Sequence, residues 1–187
     1  MFIQTESTPN PATLKFLPGQ SVLASSTADF PTVEDAENSP LAKRIFGLEG
    51  VNGVFLGMDF ITVTKLDNIA WEHIKPAILG AIMEHYQSGD DAITGEAQVS
   101  GHADHEEGEH SEIIDQIKQL LDTRVRPAVA QDGGDITFHG FDQGVVYLHM
   151  QGACAGCPSS TVTLKMGIEN LLRHFIPEVT EVRAIEA

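Results

Sequence analysis

Between Gly89 and His110 the chain carries seven acidic residues (Asp90, Asp91, Glu96, Asp104, Glu106, Glu107 and Glu109) and no Lys or Arg. Large apolar side chains are few there, so the stretch lacks the buried surface that would offset its ordering entropy, and its like charges repel. A solvated acidic linker over 89–110 rules out one continuous core. Folding must occur on either side of it, in residues 1–88 and 111–187, each at the small end of the domain range. Hydrophobic residues make up 42% of the 187, enough for two ordinary cores.

The first half reads as two strands, a helix, two strands and a helix. Phe2 to Thr5 is short and β-prone, and Thr8-Pro9-Asn10-Pro11 is a turn that cannot continue a ladder. Thr13 to Leu17 follows as a second strand and stops at Pro18-Gly19. The Ser-, Thr- and acid-rich segment Ser21 to Ser39 reads as irregular. Ser39 as cap and Pro40 at the first position predict a short helix to Leu48. Gly50 to Gly57 and Phe60 to Lys65 form a hairpin through Met58-Asp59. Ile69 to Tyr86 then carries Ile74, Ala77, Ile78, Ala81 and Ile82 at helical spacing, with Pro76 predicting a kink. Trp71 reads as core. No nucleophile–base arrangement can be placed in this half, and a docking role is its expected one.

The second half reads α-β-β-α-β. Ile113, Ile114, Ile117, Leu120, Leu121 and Val125 make an apolar stripe from a Ser111 cap to about Arg126, where Pro127 stops the helix. Gln131 to Asp135 is a glycine turn into the strand Ile136–His139. Asp142-Gln143-Gly144 reverses the chain into Val145–Met150. An amphipathic helix over Thr161–Phe175, its first turn opening at Pro158, precedes a short strand at Val179–Val182. The fold class is therefore α+β, as two small domains.

Between the Val145–Met150 strand and that helix stand the chain's two cysteines, Cys154 and Cys157, in Gly152-Ala153-Cys154-Ala155-Gly156-Cys157-Pro158-Ser159-Ser160. A strand-to-helix loop at the positive end of a helix dipole favours thiolate over thiol. The pair can chelate a metal or cycle to a disulfide. Iron–sulfur clusters and structural zinc both want about four protein ligands, and nothing nearby in sequence has the softness to complete the set. A second copy of the chain, related by a two-fold axis through the loop, would supply the missing pair at a shared, rim-exposed site. A thioredoxin-like motif begins its helix at the first cysteine within a βαβ sheet. Here the helix begins after the second and the upstream strands read as a hairpin, which weighs against disulfide chemistry. Ligand chemistry alone does not choose between iron and zinc.

The balance of charge narrows the partners. A formal net charge of −16 with no basic stripe argues against nucleic acid, since nothing would neutralise phosphates. No apolar run approaches the roughly 20 residues of a membrane span, and the N-terminus has neither signal- nor transit-peptide character. Two cysteines are too few for a disulfide-stapled secreted fold. The expected home is cytoplasmic, or an organellar matrix if a targeting segment has been removed.

Asp132-Gly133-Gly134-Asp135 together with the Gly152–Ser160 string, in α-β-β-α-β order, resembles the NifU-like (Nfu) C-terminal domain. Thr8-Pro9-Asn10-Pro11 through Gly19, with Gly50-Val51 through Lys65, resembles the N-terminal domain that accompanies it. The resemblance implies an iron–sulfur cluster scaffold or carrier, not an enzyme. Its cofactor would be a 4Fe–4S cluster bridged between two subunits by Cys154 and Cys157, with 2Fe–2S as the alternative and zinc behind it. Its partners would be a second copy when loaded, apo client proteins and other assembly factors.

Lesser features have plainer readings. Gly152 and Gly156 either let backbone approach a cluster or simply set the turn. Ser159 and Ser160 are helix-start residues. Asp132 to Asp135 is a register-setting turn rather than a metal or phosphate loop, and His102, His105 and His110 belong to a solvated run rather than a metal site.

Overall fold

The computed structural model describes residues 1–95, 101–103, 108 and 110–185, in two compact units, Met1–Ser100 and Gly101–Ala187. The first unit runs β1 (Gln4–Ser7), β2 (Thr13–Leu17), β3 (Ala28–Phe30), a 3₁₀ turn (Asp35–Asn38), α1 (Pro40–Phe46), β4 (Val51–Leu56), β5 (Ile61–Lys65) and α2 (Trp71–Ser88). The strands form one antiparallel sheet in the order β1-β2-β5-β4-β3. Phe16, Leu56, Ile61 and Val63 from the strands share a core with Leu41 and Ile45 of α1 and with Ile78 and Ile82 of α2.

Ser39 caps α1 as expected: its Oγ accepts from the Ala42 N–H at 3.1 Å, one of the amides a helix start leaves unpaired. The same hydroxyl donates to the Ala92 carbonyl at 2.6 Å. α2 runs from Trp71 to Ser88 with Pro76 inside it. Two readings of this half need correcting. The Ser21–Ser39 segment contains a strand, because Ala28 and Phe30 are buried and the three residues of β3 pair with Val54–Leu56 of β4. Trp71 is half-buried at the edge of the core, its indole N–H donating to the Pro11 carbonyl at 3.1 Å and so tying α2 to the β1–β2 turn.

The second unit runs α3 (Ser111–Leu120), a π-helical turn (Leu121–Val125), α4 (Arg126–Gln131), β6 (Gly134–Asp142), β7 (Val145–Gly152), α5 (Pro158–Phe175) and β8 (Glu181–Ile185). β6 and β7 are antiparallel, and β8 lies parallel to β7 on its other side. Ile117, Leu121, Ile136, Phe138, Leu148, Ile168, Leu172 and Val182 form the core. The β6–β7 turn places both Gln143 and Gly144 at positive φ, 47° and 82°, the conformation of a tight two-residue hairpin. Pro127 does not stop the first helix. A proline lacks the N–H and crowds the carbonyl four residues back; here the widened π turn precedes it, and Pro127 falls in the first turn of α4, where no N–H is needed. The final strand begins at Glu181 rather than Val179, since Ile176 and Val179 turn into the core first.

Within the largely exposed described ends of the 89–110 stretch, a few residues are tied to the two units. Ala92 and Ile93 pack on the first core, and the Thr94 N–H donates to the Asn38 carbonyl at 2.7 Å. In the second unit, the Ala103 N–H donates to the Phe138 carbonyl at 2.8 Å, and the Phe138 N–H donates to His102 Nδ1 at 2.8 Å. Glu96, Asp104, His105, Glu106, Glu107 and Glu109 lie outside the described residues.

Candidate functional site

β7 ends at Gly152 and α5 begins at Pro158, so Cys154 and Cys157 sit in the loop that links them. Three backbone bonds pin the loop's first half: Ala153 N–H to Gly133 O at 3.1 Å, Cys154 N–H to Gln151 O at 3.3 Å, and Ala155 N–H to Gly152 O at 3.1 Å. Its second half is tied to α5. Thr161 donates its N–H to Cys157 O at 2.9 Å and its hydroxyl to Cys154 O at 3.2 Å. Gly152 and Gly156 adopt φ of 60° and 72°, where side chains are strained. A Cβ on Gly156 would meet nothing within 4 Å, so that glycine serves the turn and not a crowded approach.

Neither cysteine forms a disulfide and both are buried, Cys154 at 6% exposure and Cys157 at 8%. The sulfur of Cys154 rests on the start of β6. A Cβ built on Gly134 would lie 2.5 Å from Cys154 Sγ, 2.8 Å from Gln151 O and 2.9 Å from Cys154 N. Only glycine fits there. The Asp132–Asp135 turn thus does more than set register: Gly133 turns the chain at φ 82°, and Gly134 makes room for the sulfur.

Asp135 is buried beside them. Its carboxylate takes a two-pronged bond from Arg126, Nε to Oδ1 and Nη2 to Oδ2 both at 2.8 Å, and accepts the Ile136 N–H at 2.8 Å. Arg126 Nη1 reaches Asp122 Oδ1 at 3.0 Å, and His102 Nε2 meets the same oxygen at 2.9 Å. With Nδ1 accepting from Phe138 N–H, His102 is the neutral tautomer that donates from Nε2. Composition and spacing pointed to none of this chain, which spans the linker end, the π turn, α4 and β6. The carboxylate of Asp135 is consumed by it and does not present a metal loop. His110 is a ring neighbour of Phe141, edge to face at 5.6 Å.

The electrostatics of the loop differ from the dipole expectation. Burial, then the Asp132 and Asp135 carboxylates, push the Cys154 thiol up to about 12. Cys154 lies three positions ahead of Cys157, packed on β6 instead of over the helix end, so desolvation outweighs the dipole. Such a thiol is neutral near pH 7 and a poor attacking group. The loop does lie in a β7–α5–β8 crossover, contrary to the hairpin-only reading, yet burial and a raised pKa still oppose thioredoxin-like chemistry. Among the described residues no three His, Cys, Asp or Glu side chains are placed to hold a metal ion. One chain brings two sulfurs.

Comparison with known proteins places both units. The family model described as "Scaffold protein Nfu/NifU N terminal" matches residues 3–89, and the "NifU-like domain" matches residues 117–183. The chain belongs to the Nfu family. It is 51% identical over 184 residues to "NifU-like protein 4, mitochondrial" of Arabidopsis thaliana, covering 97% of this chain and 65% of that one. It is 50% identical over 186 residues to the human "NFU1 iron-sulfur cluster scaffold homolog, mitochondrial", covering 99% of this chain and 72% of the relative. The chain therefore spans about two thirds of the length of these curated Nfu relatives. A solution structure of a NifU-like protein from Saccharomyces cerevisiae is 30% identical over 51% of this chain and 87% of its own, with a TM-score of 0.47. Among the described residues no helix is long and apolar enough to cross a membrane.

Proposed function

We propose that this Nfu-family chain is a carrier that binds a 4Fe–4S cluster between two copies through Cys154 and Cys157 and passes it to apo-proteins. The observation that carries the reading is the count of donors. Two thiols share one loop, no further ligands converge on them among the described residues, and a cluster wants about four. The relatives named as iron–sulfur cluster scaffolds support iron over zinc.

The cluster is cargo, and the chain's own residues set how it is held. Iron displaces the thiol protons as it binds, so each copy releases two protons on loading. Gly152 and Gly156 at positive φ allow the loop to turn its sulfurs outward, because such residues cross between backbone regions at low cost. Transfer then proceeds by ligand exchange: client thiolates replace these sulfurs one at a time, with no net change in electrons. The apo chain is a monomer and the loaded one a dimer. The reading is of an assembly and delivery protein rather than a catalyst, and an organellar matrix is the compartment that the relatives' names support.

Anaerobic reconstitution with iron and sulfide tests this directly. Wild-type protein should gain thiolate-to-iron absorbance and double its mass, and Cys154→Ala or Cys157→Ala should do neither. Loading as a monomer, or full loading of either variant, overturns the reading.

A further inference from the structure

β1 is an outer strand of the first unit's sheet, with β2 on one side and, among the described residues, no strand on the other. Its backbone groups on that open side are a template for a further strand. Gln4, Glu6 and Ser7 are exposed, so the edge is within reach of a partner. A cleft of about 760 Å³ opens at the head of this strand, its lining including Phe2, Gln4, Leu17, Leu23, Met58 and Asp59. Gln4 stands directly across from Leu17, so the cleft continues the surface of the β1–β2 ladder. Phe2 at 79% and Met58 at 57% are the two most exposed large apolar side chains described in the unit. The walls are fixed within the chain itself: the Val22 and Leu23 N–H groups donate to the Met58 carbonyl at 2.7 and 3.2 Å, joining the segment after β2 to the β4–β5 turn.

We propose that the open edge of β1 and the cleft at its head dock an extended peptide segment of a partner protein, one that carries a large apolar side chain with a Lys or Arg close to it in sequence. An added strand draws affinity from main-chain bonds to β1 and specificity from the pocket that its alternate side chains meet. Successive residues of a strand point to opposite faces. Those on the Gln4–Leu17 face reach the cleft, where Phe2 and Met58 offer apolar contact. Charge decides between occupants. Asp59 is exposed at the cleft and forms no ion pair among the described residues. No Lys or Arg lines the cleft, and Lys15 on the neighbouring β2 is engaged by Glu6 at 3.4 Å and by the Phe60 ring at 4.9 Å. Residues 1–95 hold twelve Asp and Glu against five Lys and Arg. A second copy brings the same surplus of negative charge to the contact, whereas a basic segment relieves it. Both cysteines lie in the other unit, so this site stands apart from the cluster reading and survives its failure.

Selection of a random peptide library against the full chain tests this, with the affinities of enriched peptides read by fluorescence anisotropy. Those peptides should share a β-prone stretch with an apolar and a basic residue one or two positions apart. Bound peptide should slow exchange at the Gln4–Ser7 amides that face away from β2. Met58→Glu should weaken binding about tenfold, as losing a central apolar contact does. Asp59→Lys should weaken it about fivefold, and by less at high salt. Glu49→Lys makes the same change of charge at the exposed turn between α1 and β4 and should bind like wild type. The Met58 and Asp59 side chains are exposed, so circular dichroism and melting temperature should not move. A library that enriches nothing, peptides that bind Met58→Glu as tightly as wild type, or binding that leaves the β1 amides unprotected overturns the proposal. So does a wild type that dimerises unaided and becomes monomeric as Met58→Glu, since a second copy is then the occupant.

Discussion

Replacing Gly134 by alanine probes how the cysteine loop is seated on β6. The new methyl carbon would lie 2.5 Å from Cys154 Sγ, 2.8 Å from Gln151 O and 2.9 Å from Cys154 N, against about 3.5–4.0 Å for a comfortable contact. Something must move by roughly 1 Å. Two of the three obstacles are backbone atoms joined by the Cys154–Gln151 bond of 3.3 Å, so a side-chain rotation cannot relieve them. The strand cannot retreat easily either, because Gly134 and Asp135 pair with Gly152 and Gln151 of β7. Overpacking of this kind costs about 1–3 kcal/mol. For a unit of this size that corresponds to about 4–8 °C of melting temperature per kcal/mol. The sharper readout is local. Alkylation of the buried thiols requires loop opening, so a loss of 1.4 kcal/mol confined to the loop raises the rate about tenfold. Thiol labelling across a urea series, followed by mass spectrometry of the Cys154 peptide, separates the loop from global unfolding. An alanine variant with wild-type labelling and wild-type midpoint would refute the seating.

Other perturbations follow from the same coordinates. Arg126→Met leaves the Asp135 carboxylate, 3% exposed, without its guanidinium; a cost of about 3–5 kcal/mol is expected in urea unfolding, and Asp135→Asn in the same chain should recover part of it. His102 is held below its usual 6.5 first by burial, with Arg126 and Lys118 adding to the effect against the pull of Asp122. The undocked segment therefore takes up a proton before the docked one, so docking is fully favoured above 6.5 and weakens as pH falls below it; amide-exchange protection at Phe138 and Ala103 should drop with acidification, and protection unchanged down to pH 5 would contradict the assignment. Ser39→Ala removes both the cap to Ala42 and the bond to Ala92, and should cost about 1–2 kcal/mol in the first unit's stability.

The sequence made the periodic elements visible and hid what depends on tertiary pairing. Ser39-Pro40 announced α1 because a cap is a local device, and Asp142-Gln143-Gly144 announced the hairpin because positive φ is a local demand. β3 was invisible because its three residues have no pattern of their own and exist by pairing with β4. Pro127 misled because a proline stops a regular helix, whereas a widened turn ahead of it restarts one. At the site, the Cys-x-x-Cys spacing and the glycine turn were legible together. Their physical link, the sulfur resting on Gly134, was not, since the two are separated by a whole hairpin. The Arg126–Asp135 pair was equally hidden, and burial reversed the acidity expected of Cys154.

That reversal has a bearing on how an empty molecule endures. Peroxides and disulfides are attacked by cysteine sulfur as the thiolate, and they must be able to reach it. Cys154, tucked against a glycine and kept protonated well past neutrality, offers neither until the loop lifts. Cys154 is therefore shielded from oxidants while the loop stays seated on β6, and becomes vulnerable only when the loop opens.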